Sequence, residues 1–342
     1  MVGPTSPGKD GGMRAATRDR YGDPDVIQLV DLPDPTPGPG ELLVRVRATT
    51  VNRSDTAARS GSPWINRVVH GWPRPRQRVL GSELAGVVVG LGRGVDGYAA
   101  GDRVVGFVDG RPGAHAELVT VPVDGLVAHI PDGVSFEDAA PAMEAGHYAH
   151  ACLRVTGVGR GDRALVHGAT GAIGSTLVQL LHAEGVAVTA VCDRLPPGRG
   201  SLLTELGATT VVDLGNGDRL DRAGDGFDVV VDATGHLPFA TARRLLRPGG
   251  AYVSSDLGRG GQNIALSLVG PLARALRRRH ALFPLPRGDA DLATHLVDLM
   301  ARGAYRPVVD RTYDLADIRA AHAYVDTGRK VGGVVVRLPV AD

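Results

Sequence analysis

The sequence has very little cysteine for its length. Only Cys152 and Cys192 occur among 342 residues, and neither has a second cysteine at the spacing of a metal site. Both lie in segments whose patterns predict a helix and a buried strand, so we expect small buried thiols. A disulfide framework and a structural zinc site are therefore excluded.

Long apolar runs and an excess charge of one sign are also missing. No stretch approaches eighteen apolar residues, so we expect no membrane-spanning helix. The formal net charge is +1, so no overall field attracts nucleic acid or an anionic membrane surface. Residues 1–12 are rich in glycine and proline and lack the apolar block of a signal peptide. We expect a disordered tail, a fold that begins near Met13, and a cytoplasmic location.

Lysine is nearly absent, because arginine supplies almost all of the positive charge. Only Lys9 and Lys330 occur. Lys330 stands in the segment GRKVGG near the C-terminus, where it is a candidate for a specific role. It contacts a bound ligand, closes a junction between domains, or is a plain surface charge.

The middle of the chain alternates between two patterns. Apolar, β-branched runs such as RALVHG, VAVTAVCD and FDVVVDATG are separated by helical patterns such as STLVQLLHAEG. This alternation predicts a parallel sheet with helices on both faces. The flanking segments have strands, turn glycines and few helices. We therefore predict a β-rich domain at residues 13–138 and 306–342, interrupted by a doubly wound α/β domain at residues 139–305, with a cleft between them.

The most informative stretch is RALVHGATGAIGSTLVQLLHAEG, residues 163–185. An apolar strand is followed by Gly168, Gly171 and Gly174, and then by helical periodicity. Glycines let the backbone approach a pyrophosphate, and the start of the helix directs its N–H groups at it. The spacing departs from G-x-G-x-x-G, but Asp193 closes the next strand about twenty residues later. This context predicts a dinucleotide site.

Together these motifs resemble the medium-chain dehydrogenase/reductase superfamily. The segments LGSELAGVVVGLG, AGDRVVGF, ALVHGATGAIG, FDVVVDATG and GRKVGGVVVRL occur in the family's order, and RYGDPDVIQLVDLPDPTPGPGELLVRV is similar to the opening strands of its quinone-reductase branch. The resemblance covers nearly everything from Met13 to Leu338. It implies a Rossmann doubly wound parallel sheet inserted in a GroES-like β-rich catalytic domain, with NADPH or NADH as the cofactor.

The zinc-dependent alcohol dehydrogenases of this superfamily carry a cysteine ligand and a Gly-His-Glu motif that this chain lacks. NRSD at residues 52–55 and GSE at residues 81–83 stand at those places. A serine hydroxyl is a poor substitute for a thiolate or an imidazole on Zn²⁺, so we expect no catalytic metal. The resemblance then favours hydride transfer to a quinone or an α,β-unsaturated carbonyl compound (enone), where charge spreads onto an oxygen that hydrogen bonds can hold.

Three residues are candidates for catalysis: Asn52, Asp55 and His147. Asn52 and Asp55 follow the strand that in the resembling enzymes brings groups to the nicotinamide ring. The Asn52 amide either donates a hydrogen bond to the substrate or bonds the backbone of a turn. Asp55 either acts in catalysis or caps the next helix. His147 lies in the segment that in the resembling proteins runs along the nicotinamide side of the cleft. It is a proton donor or a histidine packed at the domain junction.

Substrate contacts are expected from a proline-rich loop and from one glutamate. The loop SPWINRVVHGWPRPR carries Trp64, His70 and Trp72, which suits either a lid over the cleft or an interface. Glu144 is a substrate-binding candidate, whereas Glu83 is interpreted as structural. Several enoyl reductases of the family use a tyrosine as acid near VNRSDTAARSG, which has none. The identity of the proton donor is therefore left open.

The resemblance also implies the cofactor contacts. Asp193 favours the unphosphorylated ribose of NADH, whereas Arg194 and Arg199 favour the 2′-phosphate of NADPH, so the choice between the two is left open. The expected cofactor-binding residues are Gly168, Ala169, Thr170, Gly171, Ala172, Ile173, Gly174, Asp193, Arg194, Arg199, Ala233, Thr234, Ser254, Ser255 and Lys330.

Two other functions stay open at this point. One is a zinc-free alcohol or carbonyl dehydrogenase, which needs an acid or base such as His147. The other is a non-catalytic dinucleotide-binding protein, because the catalytic groups are less obvious than the cofactor turn. The expected partner is a small quinone, enone or carbonyl substrate. The strand HALFPL resembles the one through which relatives often pair, which implies a homodimer.

Overall fold

The structure is a computed structural model that describes residues 12–108, 110–111, 113–195, 198–254, 276 and 278–339. The strands are β1 Met13–Thr17, β2 Gln28–Leu32, β3 Glu41–Val51, β4 Glu83–Leu91, β5 Arg103–Phe107, β6 Leu118–Pro122, β7 Leu126–His129, β8 Arg163–His167, β9 Ala187–Cys192, β10 Thr210–Asp213, β11 Phe227–Asp232, β12 Leu246–Ser254, β13 His280–Leu282, β14 Val309–Asp314 and β15 Gly333–Arg337.

Helices connect most of these strands. The α-helices are α1 Arg53–Ser60, α2 Ile65–His70, α3 Phe136–Ala139, α4 Met143–Thr156, α5 Ala172–Ala183, α6 Leu202–Glu205, α7 Phe239–Leu245, α8 Ala290–Ala301 and α9 Ile318–Asp326. Short 3₁₀ segments are Pro24–Val26, Ala140–Ala142, Leu214–Asn216, Leu220–Ala223 and Leu315–Asp317.

Six parallel strands form one sheet in the order β10-β9-β8-β11-β12-β13. Counted from β8, this is the order 3-2-1-4-5-6 of a doubly wound dinucleotide-binding sheet. The strand order reverses between β8 and β11, and ligands of such sheets bind beyond the carboxyl ends of the strands at that point. The predicted parallel sheet is confirmed, and the glycine turn after β8 lies at the binding edge.

The burial pattern of the strands explains why helices cover both faces of this sheet. In β8, Ala164 and Val166 pack into one core with residues of α4, α5 and α8, whereas Leu165 packs into another with residues of α7. Successive side chains of a strand point to opposite faces, so a strand that is apolar throughout needs a partner on each side. Leu177 and Leu181 of α5 are fully buried, and each contributes about 1.5–3 kcal/mol relative to an exposed leucine.

A second, mainly antiparallel sheet is built from the two flanks of the chain. Its order is β14-β15-β3-β4-β5-β7, and β6 pairs with β3. β15 comes from the C-terminal flank and runs antiparallel to β3, and α9 packs on this sheet through Ile318. The expected β-rich flanks are confirmed. The limits at residues 13–138, 306–342 and 139–305 stay a prediction.

Two further expectations concern membrane segments and cysteines. Among the described residues, no helix has both the length and the hydrophobicity that a bilayer span requires. Cys152 and Cys192 are buried free thiols, and burial raises the pKa of each to about 12. Neither thiol is therefore reactive at neutral pH.

Candidate active site

The turn after β8 leaves room for a pyrophosphate because its key positions have no side chain. Gly168 has a φ of +78°, and a Cβ there would overlap the side chain of Thr234. A Cβ on Gly174 would overlap the carbonyl oxygen of Gly168. Gly171 is the N-cap residue of α5 and has no side chain that could accept from the first N–H groups of the helix. These N–H groups therefore face the turn. These residues fit a dinucleotide. The other predicted residues of the turn are Ala169, Thr170, Ala172 and Ile173.

The neighbouring strand ends carry further predicted cofactor residues. Ala233, which follows β11, donates its N–H to the carbonyl of His167 at 3.0 Å. The Thr234 hydroxyl donates to Asp232 Oδ1 at 2.7 Å. Ser254 ends β12 and is fully buried. Ala233, Thr234 and Ser254 thus lie at the same edge of the sheet as the turn.

Ser255 lies outside the described residues. The residues expected to choose between NADH and NADPH follow β9. Asp193 and Arg194 are exposed there, and the Arg199 guanidinium lies 3.4–3.5 Å from the Val309 carbonyl oxygen. Charges of both signs therefore lie beyond the carboxyl end of β9, where the adenosine ribose binds in this type of fold.

A buried network of one amide and two carboxyl groups joins three elements of the chain. Asn52 follows β3, Glu83 begins β4, and Glu144 lies in the first turn of α4. Asn52 Nδ2 donates to Glu83 Oε2 at 2.7 Å and to Glu144 Oε2 at 2.6 Å. The Glu144 N–H donates to Glu83 Oε1 at 2.7 Å. Each of the three residues is 7% exposed or less, so bulk water scarcely reaches the network.

Hydroxyl groups extend this network at both ends. Thr50 donates to Glu83 Oε2 at 2.7 Å, and Ser54 donates to Glu144 Oε1 at 2.7 Å. Ser54 is exposed whereas Glu144 is buried. The Ser54 hydroxyl therefore connects the buried carboxyl group with the surface of the protein. We call Thr50, Asn52, Ser54, Asp55, Glu83 and Glu144 the carboxyl cluster.

Asp55 is the third carboxyl group of this cluster. Its Oδ2 accepts the backbone N–H of Asn52 at 2.8 Å, which caps the first turn of α1. The structure thus supports the capping alternative for Asp55. The Asn52 amide nitrogen is directed to Glu83 and Glu144, while its side chain also takes part in the capping box with Asp55.

Burial raises the pKa of all three carboxyl groups. Loss of water, followed by the charge of a neighbouring carboxylate, raises the pKa of Glu83 and of Glu144 to about 7. Burial also raises the pKa of Asp55 to about 7, with a further contribution from the charge of Glu83, although the Asn52 N–H opposes it. Like charges this close do not all ionise together. At neutral pH the cluster therefore retains protons that ordinary carboxylic acids lose.

Lys330 links the carboxyl cluster to the cofactor turn. Its Nζ donates to the Gly332 carbonyl at 2.6 Å, and the Gly332 N–H donates to the Thr170 carbonyl at 2.8 Å. Burial lowers the pKa of Lys330, while the negative charges of Glu144 and Glu83 oppose this change. These contacts favour a junction or cofactor role over a plain surface charge.

His147 lies one turn after Glu144 on α4 and lines a cavity of about 340 Å³. Its side chain is almost fully buried, and its ring centroid is 5.8 Å from that of Phe107. Phe107 lines the same cavity and stands opposite Glu83 in the pairing of β5 with β4. Residues opposite each other in an antiparallel pair share a face, so this cavity adjoins the carboxyl cluster.

The predicted substrate loop lies on the surface. Trp64 and Trp72 are each 71% exposed, and the Arg67 guanidinium lies over the Trp72 ring at 6.0 Å. His70 is half-buried, and burial together with the charge of Arg18 lowers its pKa. None of these contacts involves the carboxyl cluster. A lid over the cleft therefore stays a prediction.

Three members of the cluster, Thr50, Ser54 and Glu83, have no chemical role in the sequence-based prediction. Glu83, interpreted from sequence as structural, accepts three of the cluster's hydrogen bonds. Ser54 stands two residues after Asn52 at the start of α1, and that spacing is only a weak local signal. Its partner Glu144 is 90 residues away in sequence, so no local pattern shows the contact.

The donor chemistry of the cluster does not suit zinc. Asn52 directs amide hydrogens, not a lone pair, at the two glutamates. Over the described ranges, no group of three histidine, cysteine, aspartate or glutamate side chains is arranged to hold a metal ion. The expectation of a zinc-independent site stays a prediction, which the hydrogen-bonded amide supports.

Comparison with protein families gives two matches. The alcohol dehydrogenase GroES-like domain matches residues 38–132, and the zinc-binding dehydrogenase family matches residues 206–336. The first match covers most of the antiparallel sheet, and the second covers the later strands of the parallel sheet together with β14 and β15.

Individual relatives span nearly the whole chain. A quinone oxidoreductase of Pseudomonas aeruginosa is 31% identical, over 92% of this chain and 97% of the relative. The spectinabilin polyketide synthase system protein NorB of Streptomyces orinoci is 32% identical over 89% of this chain, which spans only 13% of that protein. The solved structure of the quinone oxidoreductase from Coxiella burnetii is 25% identical, with a TM-score of 0.83 over 96% of this chain and 100% of that one.

The strand order, the glycine turn and these relatives agree. The combination of a doubly wound sheet inserted in a GroES-like β-rich domain is the one implied by the sequence motifs. The chain therefore belongs to the medium-chain dehydrogenase/reductase superfamily, in its quinone oxidoreductase-like branch, and is an NAD(P)H-dependent oxidoreductase.

Proposed function

We propose that the protein reduces a quinone or an α,β-unsaturated carbonyl compound with NADPH or NADH and without zinc. The observation that carries the proposal is the buried Asn52–Glu144 pair, which Ser54 connects to the surface. Reduction of either acceptor takes one hydride and one proton. The carboxyl cluster supplies a store for that proton next to the cofactor turn, and the quinone oxidoreductases among the relatives support the acceptor class.

The residues of the turn bind and orient the cofactor. The backbone from Gly168 to Gly174 and the first N–H groups of α5 hold the pyrophosphate, because the helix dipole favours negative charge there. The bound dinucleotide supplies the hydride. Lys330 fixes the distance between the turn and the carboxyl cluster through Gly332, which keeps the proton store beside the reacting groups.

The proton leaves the cluster through Ser54. Burial and the charge of Asp55 raise the pKa of Glu144 to about 7, so a fraction of the protein molecules carries a proton there at neutral pH. When Glu144 is protonated, it donates to Ser54 Oγ, and the Ser54 hydroxyl gives its own hydrogen to the developing oxyanion of the substrate. Asn52 acts as a positioning residue, since its amide nitrogen already donates to Glu83 and Glu144. Asp55 contributes by capping α1, which carries Ser54.

A zinc-free alcohol or carbonyl dehydrogenase is the second candidate. It is favoured by the cavity of about 340 Å³ lined by His147, because an imidazole there can exchange a proton with an alcohol or carbonyl oxygen. A non-catalytic dinucleotide-binding protein is the third. Glu144 also stays a substrate-binding candidate, because Ser54 connects it to the surface. A homodimer formed through β13 and a cytoplasmic location stay predictions.

The test is oxidation of NADPH and, separately, of NADH by EDTA-treated protein in the presence of quinones, enones, aldehydes or ketones. We expect turnover with quinones or enones after the metal has been removed. Turnover with aldehydes or ketones alone would favour the dehydrogenase. Tight cofactor binding without turnover on any acceptor would favour the non-catalytic protein.

A further inference from the structure

A second group of buried polar side chains carries positive charge and adjoins the carboxyl cluster, since its His115 ring nitrogen lies 2.8 Å from the Thr50 carbonyl oxygen. Arg18 follows β1 and is 1% exposed, Arg59 lies in the last turn of α1 and is 2% exposed, and His322 of α9 is fully buried. His115, from the segment between β5 and β6, is also fully buried, with its ring centroid 5.5 Å from that of His322. We call these four residues the cationic cluster.

Most nitrogen atoms of the cationic cluster have no hydrogen-bond partner among the described residues. All three guanidinium nitrogens of Arg18 and both ring nitrogens of His322 are in this state, as are Arg59 Nε and His115 Nδ1. Buried polar groups in folded proteins are almost always hydrogen-bonded, and an unpaired buried charge is strongly destabilising. Within the part of the chain that the structure describes, the guanidinium N–H groups of Arg18 therefore have no acceptor.

The charges of the cluster do not balance. Arg59 donates to Asp326 Oδ2 at 2.6 Å and to the Gly22 carbonyl at 3.1 Å, so one carboxylate offsets one guanidinium. Burial lowers the pKa of His115 to about 4 and that of His322 well below its ordinary value, so both rings are neutral at pH 7. Among the described residues, the positive charge of Arg18 is left without a carboxylate.

The other neighbours of Arg18 do not neutralise it. The Tyr21 ring lies beneath its guanidinium at 5.1 Å, and the Tyr21 hydroxyl donates to the Gly71 carbonyl at 2.6 Å. His70 is half-buried, and the charge of Arg18 lowers its pKa. Burial lowers the pKa of Arg18, its interaction with Tyr21 opposes this change, and the like charge of Arg59 adds to it. A water molecule would accept hydrogen bonds from the guanidinium but would not neutralise the charge of Arg18.

We propose that the cationic cluster is a binding site for one small monovalent anion of the halide class. One such anion balances the excess charge of Arg18 and accepts N–H groups from Arg18, Arg59 and a neutral histidine. The four residues are buried, so an ion held by them is cut off from bulk water. A monovalent ion therefore fits better than a phosphate, because a second negative charge would be left uncompensated in a buried site. Because its ligands come from the end of β1, from α1 and from α9, the ion ties these elements together.

The experiment combines bromide anomalous diffraction with thermal unfolding. Crystals of the full chain grown in bromide should show an anomalous peak in contact with the Arg18 guanidinium. In solution, Tm measured in sodium chloride or bromide against sodium gluconate at equal ionic strength should rise with halide concentration and saturate. At ten times the dissociation constant the rise is about 2 °C.

Two variants separate a specific site from a general salt effect. The saturable rise in Tm should vanish in Arg18→Met and persist in Arg78→Met, because Arg78 is an exposed arginine paired with Asp19. If Arg18→Met does not fold, the wild-type peak and its saturable Tm response decide the question. The proposal is overturned by water density without a bromide peak at Arg18, or by a Tm that is equal in halide and gluconate. A peak without a Tm response means an adventitious ion only and also overturns it.

Discussion

At the level of single residues, the contacts of the carboxyl cluster converge on Glu144. It accepts from Asn52 and from Ser54, and its backbone N–H donates to Glu83. Burial raises its pKa to about 7, so it carries a proton under conditions in which an exposed glutamate has none. Glu144 is therefore the group that we propose as the acid.

Glu144→Gln should lower kcat for quinone or enone reduction by about 100-fold or more, because the amide has no acidic proton. KM for the cofactor should change little, since Glu144 does not belong to the glycine turn. Steady-state kinetics with each acceptor measures both. The matched control is Glu184→Gln, which changes an exposed glutamate at the end of α5 and should keep wild-type rates. An unchanged kcat in Glu144→Gln would remove this residue from the proton path.

Cofactor preference should respond to a single charge after β9. Asp193→Ser removes a carboxylate that repels a 2′-phosphate, so kcat/KM for NADPH relative to NADH should rise by about tenfold. Arg194→Ser should change the same ratio in the opposite direction. Initial rates with the two cofactors measure it. If neither variant moves the ratio, these residues do not contact the adenosine ribose.

Sequence patterns find residues with local functions and miss those that meet across the chain. The cap formed by Asp55 is visible in the sequence because its partner is three residues away. The contact of Asn52 with Glu144 joins residues that are 92 positions apart. The packing of the segment Ala140–Ala142, directly before α4, against β3 and β4 brings them together. The interpretation of Glu83 as structural shows the same limit, since its neighbours raise its pKa and no local pattern predicts them.

At the scale of secondary-structure elements, cofactor binding depends on the close contact between α5 and the turn. Gly174→Ala should raise the dissociation constant for NADPH or NADH by about tenfold or more. The new Cβ would overlap the Gly168 carbonyl and displace the start of α5. Calorimetric titration measures the change. The control is Gly159→Ala, where a Cβ has open space. Equal affinities in both variants would contradict the assignment of this turn to the pyrophosphate.

Element prediction succeeded where the pattern is short and failed to show how distant elements assemble. The strand before the glycines and the helix after them are visible in residues 163–185, and both are confirmed as β8 and α5. The sequence predicts that both flanks form one β-rich domain, but it does not show that β15 pairs with β3, because the whole parallel sheet separates the two strands. For Trp64 and Trp72, the composition of the loop suggests an exposed role, but it does not show which surface of the protein the loop covers.

At the scale of the whole molecule, the two sheets meet where Gly332 bonds the cofactor turn and Lys330 faces the carboxyl cluster. The cluster also links folding to pH. Three carboxyl groups have pKa values that are raised in the folded state, so the folded protein binds more protons than the unfolded chain. Below about pH 4 these groups are protonated in both states, and their ionisation does not destabilise the fold. The free energy of unfolding should fall as pH rises from about 4 to about 7.

Glu144→Gln should reduce this pH dependence, because its amide never has to ionise in a buried site. At pH 8 the variant should be more stable than the wild type by about 1–2 kcal/mol, and the difference should shrink towards pH 5. Urea unfolding at several pH values measures both proteins. A difference that does not change between pH 5 and pH 8 would mean that Glu144 titrates normally.

The most direct test of the proton store is the pH dependence of kcat/KM for quinone or enone reduction by EDTA-treated wild-type protein. The acid must carry its proton before turnover, and the pKa of Glu144 is raised to about 7. The rate should therefore be constant at lower pH and fall as pH rises through about 7, and Glu144→Gln should abolish this fall along with most of the rate. A wild-type rate that is independent of pH from 5 to 9, or that rises through 7, would contradict the assignment of the carboxyl cluster as the proton source.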